Sequence, residues 1–462
     1  MLIMKAFLRK NYFTLLMFLL VGLFVVQAGY FIFNVQRGVP PDEIEHLVQI
    51  TNYFESPSLF IPAEDYEKSN YGTLNQSRFF YHMLLGKLGH LNILGLDQTI
   101  FMRLINLIFS LIYLFAFYKL LKLVFEKERY LIITAFGIQT NILMFTFLSS
   151  SVNYDNLVNL LAISSIYFTF KHLSKKSVGD LFLVFICMGL GMITKISFGP
   201  LMVGLFFILG IAHRKNFKKL FSDCWQFIIA KKFKNIVITI SLFLIFLTNV
   251  LLFSFNHIKY GGFFPKCHQI YSQETCSTDD PNYAMYNIKS TGKLDPIDPI
   301  TYLEKWSKLM EDQTFGIFAH KSINLTKNHG HIFSFLFFLF SIFFIRQFNP
   351  RKNLLMNISL GLVIFYTLFL AFFVNYQSYL FNGVVHAGVQ GRYLFPVLPL
   401  MIVIFVHYVL NTFKAKIQAI LSIVLISLFI YLSFPSYFFS PQRELFEESS
   451  IAIILHPSTV LL

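Results

Sequence analysis

The sequence predicts an all-α, polytopic integral membrane protein with about eleven transmembrane helices. Hydrophobic residues make up 55% of the 462-residue chain and charged residues only 13%, which is about half the charge of a soluble domain. Apolar segments long enough to cross a hydrocarbon core of about 30 Å recur along the whole chain. The basic residues fall on alternate connections between these segments, which is the distribution expected of a membrane topology.

Each predicted span is an apolar segment of roughly 20 residues. The first is too long for a signal-peptide core and precedes no small-residue cleavage site, so we interpret it as a span. The sequence GLGMITKISFGP interrupts the pair between residues 180 and 212. In chain order the predicted spans are 12–33, 98–122, 130–148, 153–171, 180–194, 197–212, 235–256, 331–346, 354–375, 393–411 and 417–434.

The distribution of charge predicts a cytoplasmic N-terminus. The inner side then holds 22 Lys and Arg against 4 Asp and Glu, which leaves 16 and 20 of the totals of 38 and 24 outside. The net charge of +14 therefore reflects the positive-inside rule. It does not indicate nucleic acid as a partner, which would require a soluble basic face with interleaved aromatic residues. The sequence contains no nucleotide-binding glycine loop or Walker lysine motif, which argues against ATP-driven transport by this chain alone.

We predict one membrane domain, residues 1–434, and an outer C-terminal tail, residues 435–462. The domain has three outer segments, at 34–97, 257–330 and 376–392. The first contains two amphipathic stretches, PPDEIEHLVQITNYFE and NQSRFFYHMLLGKLGHLNILG, which are expected to lie at the membrane surface as helices. Because the inner connections are short and basic, any chemistry is expected on the outer face.

The large outer segment contains two cysteines, Cys267 and Cys276. An oxidising outer compartment favours a disulfide between them, so we predict a bridge. Two unpaired thiols are the alternative.

A cluster of acids follows the first predicted span, in the sequence RGVPPDEIEHLVQ. At helical spacing Asp42, His46 and Gln49 share one face, with Glu45 beside them, and Glu43 follows Asp42 in the first turn. A carboxylate near the membrane surface, partly desolvated and close to a second acid, is a good candidate for a general base. We therefore predict Asp42, Glu43 and His46 as catalytic residues. The alternative is helix capping, since acids in a first turn interact favourably with the helix dipole.

Two further charges are predicted at the same outer level. Asp155, in FLSSSVNYDNLVNLL, lies at a turn between spans, and capping by Asn153 or Asp155 is the alternative role. Lys195, in MITKISFGP, lies within a hairpin of spans, where a lysine is costly unless it pairs or meets an anion. Snorkelling of Lys195 to the outer headgroups is the alternative.

The sequence HAGVQGRYLFPVLPL predicts a second basic position, Arg392, where a late span begins. Arginine makes forked contacts with phosphate oxygens, and the flanking His386, Gln390 and Tyr393 are predicted to bind substrate. The alternative is an Arg-Tyr anchor at the membrane interface.

Four stretches of the sequence together resemble a bacterial family of polytopic membrane proteins within the GT-C glycosyltransferase superfamily. They are PPDEIEHL, SVNYDNLVNL, TKISF and GVQGRYLFPVLPL. The resemblance extends over about residues 40–410, and P-x-DE-x-x-H and Q-G-R-Y are its more specific motifs. It implies a multi-span helical fold whose first outer loop carries an Asp-Glu pair at the active site.

The resemblance also implies roles for these residues. Such enzymes transfer a sugar from a polyprenyl-phosphate carrier to a glycan or glycolipid acceptor on the outer face of the cell membrane. Asp42 would be the general base, or would bind a metal together with Glu43; members of the superfamily differ in whether they require a divalent ion such as Mg²⁺ or Mn²⁺. Asp155 would be a second acidic contact, while Lys195 and Arg392 would hold the lipid phosphate.

Two other functions are compatible with a polytopic chain. An O-antigen polymerase or ligase also uses lipid-linked sugar, but it would require essential arginines in the large outer loop, and residues 257–330 contain none. A transporter of lipid or polysaccharide would usually show repeated halves and charges at mid-membrane depth, and the sequence contains no internal repeat.

Overall fold

The computed structural model describes residues 2–61, 72–230, 232–265, 267–270, 272, 297–317, 327–349, 353–382, 385 and 388–447. Within these residues the chain forms helices and no β-strand; one isolated bridge joins Val35 and Glu447. The helices are α1 Leu2–Asn34, α2 Glu43–Glu55, α3 Gly72–Gly89, α4 Gln98–Phe125, α5 Arg129–Thr140, α6 Leu143–Ser149, α7 Asp155–Lys175, α8 Val178–Thr194, α9 Gly199–His213, α10 Phe217–Ile229, α11 Phe233–Tyr260, α12 Cys267–Ile270, α13 Pro299–Phe315, α14 Lys327–Gln347, α15 Leu354–Leu368, α16 Tyr376–Asn382, α17 Leu398–Leu410, α18 Ala415–Leu432 and α19 Phe434–Phe438.

The all-α class predicted from the sequence is confirmed for the described residues. Six helical segments are long and apolar enough to cross a membrane, and the bent pair α5–α6 raises the number to seven. Every predicted span coincides with a helix, but the count of eleven stays a prediction, since several of these helices are shorter or less apolar than a full span. The six segments are Asn11–Asn34, Gln98–Phe125, Ile196–His213, Phe233–Tyr260, Leu354–Leu380 and Ala415–Phe438.

The predicted span at 130–148 is bent rather than continuous. Helices α5 and α6 meet at an angle of 63°. Asn141 lies at the break, and its side-chain amide donates to the carbonyl of Gly137 at 2.8 Å, a local bond that competes with regular helix. The bend directs the turn after α6 towards the end of the bundle that carries Asp42.

Both amphipathic stretches of the first outer segment form helices, α2 and α3, which pack closely together. A Cβ atom at Gly86 would lie 2.6 Å from Tyr53 Cβ and 2.8 Å from the carbonyl oxygen of Ile50, so glycine is required where the two helices touch. Helix α3 also contacts α4 and α8, and its Tyr81 and His82 are fully buried. The first outer segment is therefore part of the bundle core as well as its surface.

Connections from distant parts of the chain meet at one end of the bundle, which we call the Asp42 end. They are the loop after α1, the turn between α6 and α7, the turn between α8 and α9, and the segment before α17. The described part of the tail joins them, because Tyr30 donates to Glu447 at 2.8 Å and Gln36 donates to the carbonyl of the same residue at 2.9 Å. At the opposite end, His172 Nε2 and His213 Nε2 lie 2.8 Å apart.

Candidate active site

Four charged side chains form one continuous cluster at the Asp42 end. Arg392 Nη2 lies 2.8 Å from Asp42 Oδ2, and Arg392 Nε lies 3.0 Å from Asp155 Oδ2. Lys195 Nζ lies 2.5 Å from Asp155 Oδ1. The structure thus brings together four positions that the sequence singled out separately, in the order Asp42, Arg392, Asp155 and Lys195.

The two basic residues are buried, which does not fit their alternative roles as membrane-surface groups. Lys195 is 4% exposed and Arg392 is 2% exposed. A snorkelling lysine and an interfacial arginine anchor would each expose the charged head. Asp42 differs from the rest of the cluster because 36% of its side chain is exposed, so it lies where the cluster meets the outside.

Asp42 has an unusual backbone. Its φ angle is 59°, in the left-handed region, and its side chain makes no capping hydrogen bond to α2. Asparagine and aspartate are the residues other than glycine that most often adopt this conformation. The Asp42 side chain therefore does not cap α2. Its carboxylate forms an ion pair with Arg392 instead.

Glu43 lies in a different environment from its neighbour. Its carboxylate is fully buried and receives Arg103 Nε at 2.9 Å and Arg103 Nη2 at 2.7 Å. The backbone amides of Gly38 and Val152 donate to it as well, each at 3.1 Å. These four donors occupy the four lone-pair positions of a carboxylate. Asp42 and Glu43 consequently do not fit as joint ligands of a divalent ion.

Arg103 was not predicted from the sequence. Besides Glu43, its guanidinium donates to the carbonyls of Ile32 and Val35 at 3.0 and 2.8 Å, and to that of Gln36 at 3.3 Å. It thereby ties α4 to the end of α1 and to the loop that precedes Asp42. The available signal was an arginine inside the predicted span 98–122, because a charge within a span usually has a buried partner.

A buried polar layer supports the cluster. His46 Nδ1 lies 3.0 Å from His82 Nε2, and the His46 ring also packs against Tyr154 with centroids 4.5 Å apart. Tyr81 donates to Asn106 at 3.0 Å. Gln49 is buried on the same helix as His46. The predicted face of α2 therefore points inward, behind the charged cluster.

Aromatic rings and charge together stabilise the two cations. Lys195 Nζ lies 4.3 Å from the ring centroid of Tyr154 and 4.6 Å from that of Tyr393, both within cation–π range. Burial alone would lower the pKa of Arg392, but the carboxylate of Asp155, followed by Tyr393 and Asp42, raises that pKa above its usual value.

The segment that carries Arg392 is held against α13. A Cβ atom at Gly391 would lie 2.3 Å from backbone atoms of Gln313 and Thr314, and the Gly391 amide donates to Gln313 Oε1 at 3.0 Å. Glycine is thus required for the close approach that fixes Arg392. Gln390 is half-buried beside it.

Several predictions fall outside the described residues. His386 and Cys276 lie there, as does the side chain of Cys267. The predicted contact of His386 with substrate and the predicted disulfide therefore stay predictions. Among the described residues, no group of three or more His, Cys, Asp or Glu converges as a metal site would.

The cluster contains one donor that its ion pairs do not use. Arg392 Nη1 is buried and has no hydrogen-bond partner among the described residues, although a buried donor normally finds an acceptor. Lys195 is the second buried cation of the cluster. An anion placed beside Nη1 would interact with both cations and with the two carboxylates, Asp42 and Asp155, in a site of low dielectric. Asp42, half-exposed at the rim, adds a carboxylate that can accept a proton.

One known family model matches the middle of this chain. Residues 90–246, about a third of the 462 residues, match the family model of the dolichyl-phosphate-mannose-protein mannosyltransferases. The matched segment runs from α4 into α11 and includes Arg103, Asp155 and Lys195, whereas Asp42 and Arg392 lie outside it. No curated protein matches the chain. Over about a third of its length, the chain is therefore similar to a family of membrane glycosyltransferases of the GT-C type.

Proposed function

We propose that this protein is a membrane glycosyltransferase. It transfers a sugar from a polyprenyl-phosphate-linked donor to a hydroxyl group of a glycan or glycolipid acceptor on the outer face of the cell membrane. The observation that carries the proposal is the single charged cluster formed by Asp42, Arg392, Asp155 and Lys195. The matched family model, which describes enzymes that use a lipid-phosphate sugar, supports the same reaction class.

Asp42 acts as the general base in this proposal. It is the one member of the cluster with a substantially exposed carboxylate, so an acceptor arriving from water can reach it. Asp42 removes the proton from the acceptor hydroxyl as the oxygen attacks the anomeric carbon. The bond between that carbon and the phosphate oxygen breaks, and the electron pair leaves with the polyprenyl phosphate.

Arg392 and Lys195 stabilise the leaving phosphate. Charge develops on its oxygens during bond cleavage, and preorganised cations in a poorly hydrated site stabilise such charge most strongly. The unbonded Arg392 Nη1 is a donor ready for one of these oxygens. Asp155 holds both cations in place before the donor binds, and Tyr393 and Gln390 lie beside the phosphate.

Glu43 and His46 support the site from behind in this proposal. Because the oxygens of Glu43 receive Arg103 and two backbone amides, we assign Glu43 and Arg103 a positioning role. They fix the loop whose next residue is Asp42. His46 is buried against His82 and Tyr154, and it holds α2 against the core.

The test compares glycans made by variants in the native host. Asp42→Asn and Arg392→Ala are expressed at the level of the natural chain, and the envelope polysaccharide and glycolipids are analysed by mass spectrometry. We expect a truncated or undecorated glycan in both, since loss of a general base alone lowers rates by about 10²–10⁴-fold. Lys171→Ala is the control; it breaks an ion pair with Asp180 of 2.7 Å in a more exposed setting away from the cluster.

Intact glycans in both variants at normal protein level would mean that these residues are structural, and the catalytic assignment would be abandoned. The mass of a missing sugar in the variants would identify the substrate.

A further inference from the structure

Helix α10 has a surface that the transferase chemistry does not use. It connects α9 and α11, and none of its residues is buried. Four large apolar side chains, spaced at i, i+4, i+8 and i+11, form an exposed stripe that we call the α10 stripe. They are Phe217, Phe221, Trp225 and Ile228, with exposures of 67%, 70%, 59% and 40%.

The other apolar residues of α10 fix how the helix sits on the bundle. Phe227 packs edge-on against Phe182 of α8, with ring centroids 5.1 Å apart. Its backbone carbonyl accepts from Asn235 of α11 at 3.3 Å. Phe227 therefore lies on the side of α10 that packs on the bundle, and the α10 stripe lies at the rim.

The surface next to the stripe is apolar. Ile228 also lines a groove of about 510 Å³ between α8, α9 and α11, whose other lining residues include Phe185, Phe206 and Phe243. The exposed residues Phe233 and Ile236 continue the apolar surface along α11, a helix apolar enough to span the membrane. The stripe is thus continuous with the exposed apolar side of a candidate membrane span.

The flanks of the helix are strongly basic. Six described cations lie within or next to α10, all of them exposed, against the single acid Asp223, and none forms an ion pair with a described residue. They are Arg214, Lys215, Lys218, Lys219, Lys232 and Lys234. An apolar stripe flanked by lysines is the pattern of a helix that lies in the headgroup layer and attracts anionic lipid.

We propose that α10 is an interfacial helix that binds anionic phospholipid. Its stripe enters the boundary between headgroups and acyl chains, and its lysines contact lipid phosphates. Basic segments beside a membrane gain about fivefold in partition for each Lys or Arg close to an anionic surface. The α10 stripe is distinct from the charged cluster, so lipid binding by α10 does not depend on whether the chain transfers sugars.

Trp225 is a built-in probe for the proposal, because the chain has only one other tryptophan, Trp306. Full-length Trp306→Phe protein is reconstituted in vesicles of phosphatidylcholine containing brominated phosphatidylcholine or brominated phosphatidylglycerol. We expect both brominated lipids to quench Trp225 fluorescence. Per brominated lipid molecule, phosphatidylglycerol should quench several-fold more strongly than phosphatidylcholine. If Trp306→Phe protein does not fold, the difference between the natural chain and Trp225→Phe gives the same signal.

Charge variants separate the headgroup contact from general membrane contact. In the double variant Lys218→Gln/Lys219→Gln we expect quenching to remain. The ratio of quenching by brominated phosphatidylglycerol to quenching by brominated phosphatidylcholine should fall towards one. The matched control, Lys414→Gln/Lys416→Gln, removes the same charge at the start of α18 and is expected to keep the preference. Quenching by aqueous iodide but not by brominated lipid, or equal quenching by both lipids in the natural chain, would overturn the proposal.

Discussion

Asp42 and Glu43 are adjacent acids for which the structure predicts opposite results on substitution. Glu43→Gln removes one charge from a pair in which both side chains are at most 3% exposed. Removing one partner of a buried pair typically costs about 3–5 kcal/mol, because the other charge stays buried without compensation. In Glu43→Gln the charge left without its carboxylate is Arg103, which hydrogen bonds to three backbone carbonyls hold in the interior.

Asp42→Asn is expected to change stability far less. The Asp42 side chain is 36% exposed, so the ion pair with Arg392 is partly screened and worth about 1 kcal/mol or less. Arg392 keeps Asp155 as a partner, and asparagine tolerates the left-handed backbone of residue 42. The activity of this variant should nevertheless be lost, since an amide cannot act as a general base.

The assay measures the stability of each variant. Purified protein in detergent is heated in steps, and the fraction that remains monodisperse on size-exclusion chromatography gives the midpoint of unfolding. We expect a clearly lower midpoint for Glu43→Gln and an almost unchanged one for Asp42→Asn. The double variant Glu43→Gln/Arg103→Met should lose less stability than the sum of the two single variants, because no buried charge remains alone.

A particular outcome would refute this reasoning. If Glu43→Gln is as stable as the natural chain and yet makes no mature glycan, Glu43 takes part in the chemistry itself. The positioning role would then be wrong.

Two further predictions concern positions outside the acids. Gly391→Ala should be destabilised by about 1–3 kcal/mol and should lose activity, because the new Cβ would lie 2.3 Å from the backbone of Gln313. The control is Gly361→Ala, where a new Cβ would have no atom within 4 Å. If the Gly391→Ala protein were as stable as the natural chain, the close approach would be contradicted. Burial first, and then Asp223, raise the pKa of the Cys224 thiol, so its labelling by maleimide should stay slow at neutral pH and accelerate only above the usual thiol range. Asp223→Asn lowers that pKa and should speed labelling at pH 7.5, and equal rates would contradict the effect of Asp223.

The sequence predicted the helical class and the four members of the charged cluster because these depend on local signals. Apolar segments and charges at their ends are visible without a structure. The pairing of Asp155 with both Lys195 and Arg392 was not predictable, since it depends on how distant helices pack. The bend at Asn141 was missed because the segment 130–148 has the length of a span and contains no proline, although its centre carries the polar stretch Gln139-Thr140-Asn141.

Glu43 illustrates a limit of interpreting adjacent acids as a pair. Neighbouring residues at the start of a helix point in different directions, so Asp42 faces Arg392 while Glu43 faces Arg103. Arg103 is the residue that separates the two roles. Arg103 is important because it binds three backbone carbonyls and one carboxylate from another part of the chain. No sequence pattern marks such contacts.

The long separation between paired residues has a consequence for biosynthesis. Asp42 and Arg392 are 350 positions apart, which corresponds to about 18–70 s of translation at about 5–20 residues per second. During that interval the loop carrying Asp42 has already left the ribosome, but its partner does not yet exist. The contact between the tail and the loop after α1 forms later still, because the hydrogen bond from Gln36 to Glu447 spans 411 positions. A nascent chain is therefore without its charged cluster until synthesis is nearly complete, and a chain released early lacks the residues on which the proposed reaction depends, whatever the number of helices it has inserted.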